Sequence, residues 1–216
     1  MRPLLAVGCL LFGLAALGQT KDEVLQCANL VYGGNHSSRC FSDEFLSAVQ
    51  KSSALRTERR FKSVKLDSDE LFKYPFAMIT GESDFYLGAK ERGNLKKYLG
   101  SGGFLLASAG CSSKSFDQAF RRELKRVFPD AKLQDIPMSH PVFHTVNKVE
   151  KLQTRHAAEG KSGLEGFERD GKLVLIYSPQ GLNDTAHSSG CCCCGGNEIE
   201  NAIEVNMNIL VYALLH

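Results

Sequence analysis

The sequence predicts an α/β fold with a doubly wound, largely parallel sheet covered by helices on both faces. Three observations carry this. Residues 75–80 (PFAMIT), 104–108 (FLLAS) and 173–177 (LVLIY) are short apolar runs, the pattern of strands buried on both faces. Residues 88–99 and 115–127 follow the first two runs with apolar residues at helical spacing. Gly100-Ser101-Gly102-Gly103 and Pro129 then stop those helices. Strands alternating with helices imply a parallel sheet, and in such sheets ligands gather beyond the carboxyl ends of the strands.

Taken in order, the chain opens with Met1-Arg2-Pro3 and an uncharged apolar run over residues 4–17. The run is shorter than the ~20 residues that span a bilayer. One basic residue, a short apolar core and Ala16-Leu17-Gly18 read as a signal peptide over 1–18, with the mature chain starting at Gln19. The protein is therefore expected to be exported, periplasmic or extracellular. Residues 19–58 read as a helical N-terminal extension. Val24, Leu25, Ala28 and Val31 recur at helical spacing, Gly33-Gly34-Asn35 breaks the pattern, and Ser42 opens a second helix with Phe45, Leu46 and Val49 on one face.

Residues 59–216 form the predicted α/β domain. Phe61, Val64 and Leu66 suggest its first strand, and 67–70 a turn or a single helical turn. After the two strand–helix units, 133–136 suggests a short strand. Residues 164–168 and 172–178 flank Asp170-Gly171 as a hairpin. A last helix is expected from Asn197, with Glu200 completing a capping box and Ile199, Ala202, Ile203, Met207, Leu210 and Leu214 on its buried side.

The chain has 216 residues and a formal charge of +2, which becomes +1 once Arg2 is removed with the signal. That balance lacks the basic excess of a nucleic-acid surface. Arg121, Arg122, Lys125 and Arg126 alternate with Glu123 as a solvated helix face does. No second apolar stretch is long enough to cross a membrane after signal cleavage. Of eight cysteines, one lies in the signal, leaving an odd seven. At least one thiol is left over, bound to metal or shared with another molecule. Cys27 and Cys40 flank the Gly-Gly break, and a disulfide between them is expected.

Three loops leave the carboxyl ends of the apolar strands. They carry Glu82 and Asp84, then Cys111, then Asn183, Asp184, His187 and the run Cys191, Cys192, Cys193 and Cys194. His140 and His144 lie between the second and third loops. Cysteine and histidine together suit a thiophilic metal, with zinc first because it accepts mixed sulfur and nitrogen ligands. The metal set is Cys111, His144, His187 and Cys191 to Cys194. A structural disulfide network is the alternative for the same cysteines. As catalytic candidates, Cys111 sits where a strand–turn–helix elbow would expose a nucleophile, His140, His144 or His187 could serve as its base, and Asp184 or Glu82 as the orienting group. Glu82, Asp84, Asn183 and Asp184 are candidates for holding a small ligand; Asp84 also suits a helix cap. Three readings stay open: binding of a thiophilic metal or small ligand in this crevice, a thiol- or metal-dependent hydrolase or transferase, and a structural envelope protein stapled by disulfides.

The segments YPFAMITGESDF (74–85), NLKKYLGSGGFLLAS (94–108), FDQAFRRELKRVFPD (116–130), IPMSHPVFHT (136–145) and GLEGFERDGKLVLIYSPQG (163–181) resemble the bacterial family called domain of unknown function 4159. The resemblance implies a flavodoxin-like sheet related to class I glutamine amidotransferase folds. His140-Pro141-Val142 is similar to the His-Pro turn of the trehalose-utilisation-type members of that superfamily. The family brings no established activity. The Gly-x-Cys-x-Gly elbow of true amidotransferases is not intact at Gly110-Cys111-Ser112. The four-cysteine run departs from the family pattern, which implies a polar crevice as the shared element.

Overall fold

The computed structural model describes residues 24–37, 41, 43–154, 163–183 and 199–216. Its centre is a sheet of seven strands. In chain order these are β1 (Ala28–Val31), β2 (Lys62–Lys65), β3 (Phe76–Gly81), β4 (Phe104–Ala109), β5 (Gln134–Asp135), β6 (Glu165–Arg169) and β7 (Lys172–Ser178). Four helices accompany them: α1 (Glu44–Ser52), α2 (Ala89–Gly100), α3 (Lys114–Val127) and α4 (Ala202–Leu215). The strand order is β2-β1-β3-β4-β7-β6-β5, and the first five in that order run parallel. The β5 and β6 strands extend the β7 edge antiparallel.

The apolar runs become strands because both of their faces are covered. Phe76, Met78, Phe104 and Leu106 point into one core with α1 and α4. Ala77, Ile79, Leu105, Ala107 and Ala109 point into the other with α2 and α3. This is the period-2 alternation of a strand, invisible in the sequence because both faces are apolar. The β6–β7 turn is tight: Asp170 has φ 52° and Gly171 φ 75°, the left-handed pair that a two-residue hairpin uses. The short turn predicted after β2 is a 3-10 turn over Asp69–Lys73, capped by the Ser68 side chain accepting from Glu70 N.

Two expectations are corrected. Residues 19–58 are not a helical extension. Residues 28–31 form β1, which lies inside the sheet between β2 and β3. Ala28 and Leu30 are buried and alternate with half-buried neighbours, so four apolar positions that also fit helical spacing belong to a strand. Only α1 fulfils the helical expectation in this segment, and it buries Phe45, Leu46 and Val49 as predicted. The last helix starts at Ala202 with Asn201 as its N-cap residue, not at Asn197, which lies outside the described residues. Its buried side is also wider than one stripe. Val205, Asn206, Asn208, Ile209 and Val211 are buried too, because α4 lies between the sheet, α1 and the turn at Pro141–Phe143.

The two edges of the sheet differ. β2 carries Lys62 and Lys65 exposed, and β5 is two exposed residues long. Among the described residues, no helix is long and apolar enough to cross a membrane.

Candidate functional site

The carboxyl ends of β3, β4 and β7 carry hydroxyls in register. Thr80 pairs with Ser108, and Ser108 with Ser178, across three neighbouring strands. All three are fully buried. They stay there because each is hydrogen-bonded; a buried hydroxyl without a partner costs ~1–3 kcal/mol. Ser178 Oγ accepts from Gly181 N at 3.0 Å. Ser108 Oγ accepts from Leu182 N at 2.8 Å and donates to Asn183 Oδ1 at 2.9 Å. Thr80 Oγ1 donates to the same oxygen at 3.3 Å. The hydroxyl row thus pulls the chain leaving β7 back over the strand ends. Asn206 of α4 holds it from the other side, donating from Nδ2 to Leu182 O at 3.0 Å.

Asn183 is the centre of this arrangement. It is 1% exposed. Its Oδ1 is satisfied twice, while its Nδ2 is buried with no hydrogen-bond partner. On the Nδ2 side lies Gly110, the residue after β4. A β-carbon added to Gly110 would stand 2.9 Å from Asn183 Nδ2 and 2.7 Å from Glu82 Oε1. Glycine is needed here because the Glu82 carboxylate and the Asn183 amide pack against its α-carbon more closely than any side chain would allow.

The turn at Gly110 is unusual. Cys111 (φ 53°, ψ 28°) and Ser112 (φ 53°) are consecutive non-glycine residues in the left-handed region, which costs roughly 1–2 kcal/mol each. Several bonds hold the turn. Ser112 Oγ donates to Gln180 O at 2.7 Å, and Ser113 N to Gly110 O at 3.0 Å. Ser113 Oγ donates to Glu82 O at 2.5 Å while accepting from Phe116 N, which caps α3.

The predicted site residues fall into three groups. Glu82 and Asn183 meet at Gly110, as the strand-end rule implied. Asp84, two residues from Glu82, does not join them. Its carboxylate pairs with Arg122 Nη2 at 2.9 Å and raises the Arg122 pKa. Nor does it cap α2, whose N-cap residue is Gly88, its N–H donating to Glu91 Oε2 at 2.6 Å. The chain bends after Gly81, so the two carboxylates diverge. Cys111 sits beside the crevice, but it is disulfide-bonded, and its partner lies outside the described residues. A half-cystine offers neither a nucleophile nor a metal thiolate, contrary to the roles expected of it.

His140 and His144 do not approach Cys111. The His140 ring packs 5.4 Å from that of Tyr212, near the far end of α4, and shares a cavity of about 320 Å³ with Leu173 at the start of β7. That is the amino end of the parallel sheet. His140 Nδ1 accepts from Val142 N at 3.2 Å, and burial lowers its pKa. His144 belongs to the same turn, its Nε2 2.9 Å from Met138 O. Both histidines sit where the Pro141–Phe143 turn needs caps. Cys27 is a free thiol, not half of a bridge to Cys40. It is 1% exposed just ahead of β1, and burial pushes its pKa up to about 12. Asp184, His187, Cys191 to Cys194 and Cys40 lie outside the described residues. Among the described residues, no three His, Cys, Asp or Glu side chains are grouped to hold a metal ion.

Gly110, Ser108, Ser178 and Asn206 were not singled out from the sequence. A signal for two of them was present: each buried apolar strand ends on a hydroxyl residue. The three arginines of the basic face of α3 are paired. Arg122 and Arg126 both reach Glu123, and Arg121 holds Glu165 through two bonds of 2.7 and 2.8 Å. No curated protein matches the chain. One family model does, over residues 26–214, a span that runs from just before β1 almost to the end of α4. The chain accordingly belongs to the family described as Domain of unknown function (DUF4159).

Proposed function

We propose that this protein is an exported small-ligand-binding domain of flavodoxin-like type, its ligand reaching Asn183 at the carboxyl ends of β3, β4 and β7. The observation that carries the reading is Asn183 Nδ2, a fully buried donor with no partner, packed with the Glu82 carboxylate against Gly110. Native proteins rarely keep such a donor without a use for it. The strand order supports the fold reading. Its parallel part is the flavodoxin-like order, with the direction of winding reversing at β1 and β3. The apolar opening run and the disulfide at Cys111 support export, since disulfides persist in oxidising compartments. A thiophilic metal is less well supported, because the groups that converge are an amide, hydroxyls and a carboxylate, which are not soft ligands.

The test is a thermal-shift screen of the exported, mature protein against a panel of small metabolites, with its intact mass fixing the start at Gln19. Compounds that raise the melting temperature of the parent are expected to lose that effect in Gly110→Ala, where the methyl group would stand 2.7 Å from Glu82 Oε1 and 2.9 Å from Asn183 Nδ2 and push both aside. Asn183→Asp serves as a second variant, since it keeps the acceptor for Thr80 and Ser108 but removes the donor. A panel whose hits act equally on the parent and on both variants would place the binding elsewhere and end the proposal.

A further inference from the structure

We propose that the cavity beside His140 binds a small organic cation, an ammonium or amidinium group carried on an apolar body. This site lies at the amino end of the parallel strands, away from Asn183, and stands apart from the binding reading above. The cavity measures about 320 Å³, within the range of small-ligand pockets. It exists because β6 runs antiparallel to β7. The carboxyl end of β6 therefore arrives where β7 begins, and the chain between α3 and β5 lines the same hollow. Its floor is apolar. Ile136 and Leu173 are 4% and 8% exposed, and they pack against Gly166, where a β-carbon would stand 3.2 and 2.5 Å from them.

The walls set the charge. Asp130, Asp135 and Glu168 line the cavity with Lys132, three carboxylates to one ammonium. A hollow with an apolar floor and an excess of one charge in its walls concentrates ions of the other sign. Glu168 lies beside the His140 and Tyr212 rings. Burial lowers the His140 pKa and raises that of Tyr212, and in both the Glu168 charge adds a raising contribution. His140 brings no positive charge of its own. Its Nδ1 accepts from Val142 N at 3.2 Å, which leaves the ring proton on Nε2, and its lowered pKa keeps it uncharged at neutral pH. An anion would meet the carboxylates, and a neutral apolar compound would use the floor but not the walls. A cation on an apolar body uses both. A peptide lysine carries the same charge, but β5 offers a peptide backbone only 2 exposed residues to pair with, too few for strand addition. A free molecule is the better fit.

The experiment follows the ring signals of His140 in 1H–13C spectra of the full mature chain at neutral pH, assigned by their loss in His140→Gln. The probes are benzylammonium, benzyl alcohol, benzoate and N-acetyl-lysine methylamide. Benzylammonium is expected to shift the signals saturably at the lowest concentration, and benzoate at the highest. Glu168→Gln should weaken benzylammonium about threefold and leave benzyl alcohol unchanged, while Lys132→Gln should strengthen benzylammonium. Both side chains are exposed, so neither substitution disturbs the core. If benzyl alcohol or benzoate acts at an equal or lower concentration, or if Glu168→Gln changes nothing, the cation assignment is overturned. If the lysine derivative acts at the lowest concentration, a peptide is the ligand and the proposal falls. If none of the four moves the His140 signals at its solubility limit, the cavity is not a binding site. Asn183 lies at the other end of the sheet, so none of these results decides the function proposed above.

Discussion

Cys27 shows how far one residue's surroundings can change its chemistry. A thiol ahead of the first strand, in a chain whose opening run reads as a signal, invites a disulfide, yet here it is a small apolar side chain in the core shared by α1 and α4. Burial raises its pKa from 9.0 to about 12. The folded state therefore holds its proton more tightly than the unfolded state. The stability this represents is full below pH 9 and is lost as pH rises from 9 toward 12, by at most about 1.4 kcal/mol per pH unit. Tyr32, Tyr98 and Tyr177 are raised as well, from 10.0, so between pH 9 and 10 the difference between parent and Cys27→Ala isolates the thiol. Chemical denaturation of both proteins across that interval should show a steeper loss in the parent. The thiol should also resist alkylation until the protein unfolds. The site was half legible at this scale. Glu82 and Asn183 follow from the strand-end rule, because loops after buried strands must sit there. That His140 and His144 serve a turn at the other end, and that Gly110 lets Glu82 and Asn183 pack against its backbone, depends on which helix covers which strand, and no local pattern encodes it.

Among the elements, the β6–β7 hairpin was readable because Asp-Gly between apolar runs has one favoured geometry. Gly171 at φ 75° makes this testable. Gly171→Ala should cost about 1 kcal/mol from the left-handed conformation alone, since nothing lies within 4 Å of the added carbon. Urea unfolding would register the loss with an unchanged slope. β1 was misread for a related reason. Four apolar positions in eight residues fit both periods, and what decides for a strand is pairing with β2 and β3, contributed by chain 31 or more residues away. The buried strands β3, β4 and β7 needed no such help. Each is apolar through both cores and flanked by strong turn residues, so only one type of element fits.

At the scale of the molecule, β1 makes the region before residue 59 part of the domain. A chain of residues 59–216 would lose the strand that joins β2 to β3, and with it Tyr32, whose hydroxyl donates to Thr80 O at 2.9 Å beneath the crevice. That fragment is expected to be expanded and without cooperative thermal unfolding, whereas residues 24–216 should fold. Circular dichroism melts of the two decide it, and a cooperative transition in the shorter chain would show that β1 is dispensable. The same sheet ends on one side in a strand studded with lysines and on the other in a strand of two residues. A long bare edge is a template on which a second copy can lay its own backbone. Here one border repels a like copy by charge, and the other is too brief to register one. The sheet thereby offers a second copy no ready border, and its most direct route to fibrous association is closed.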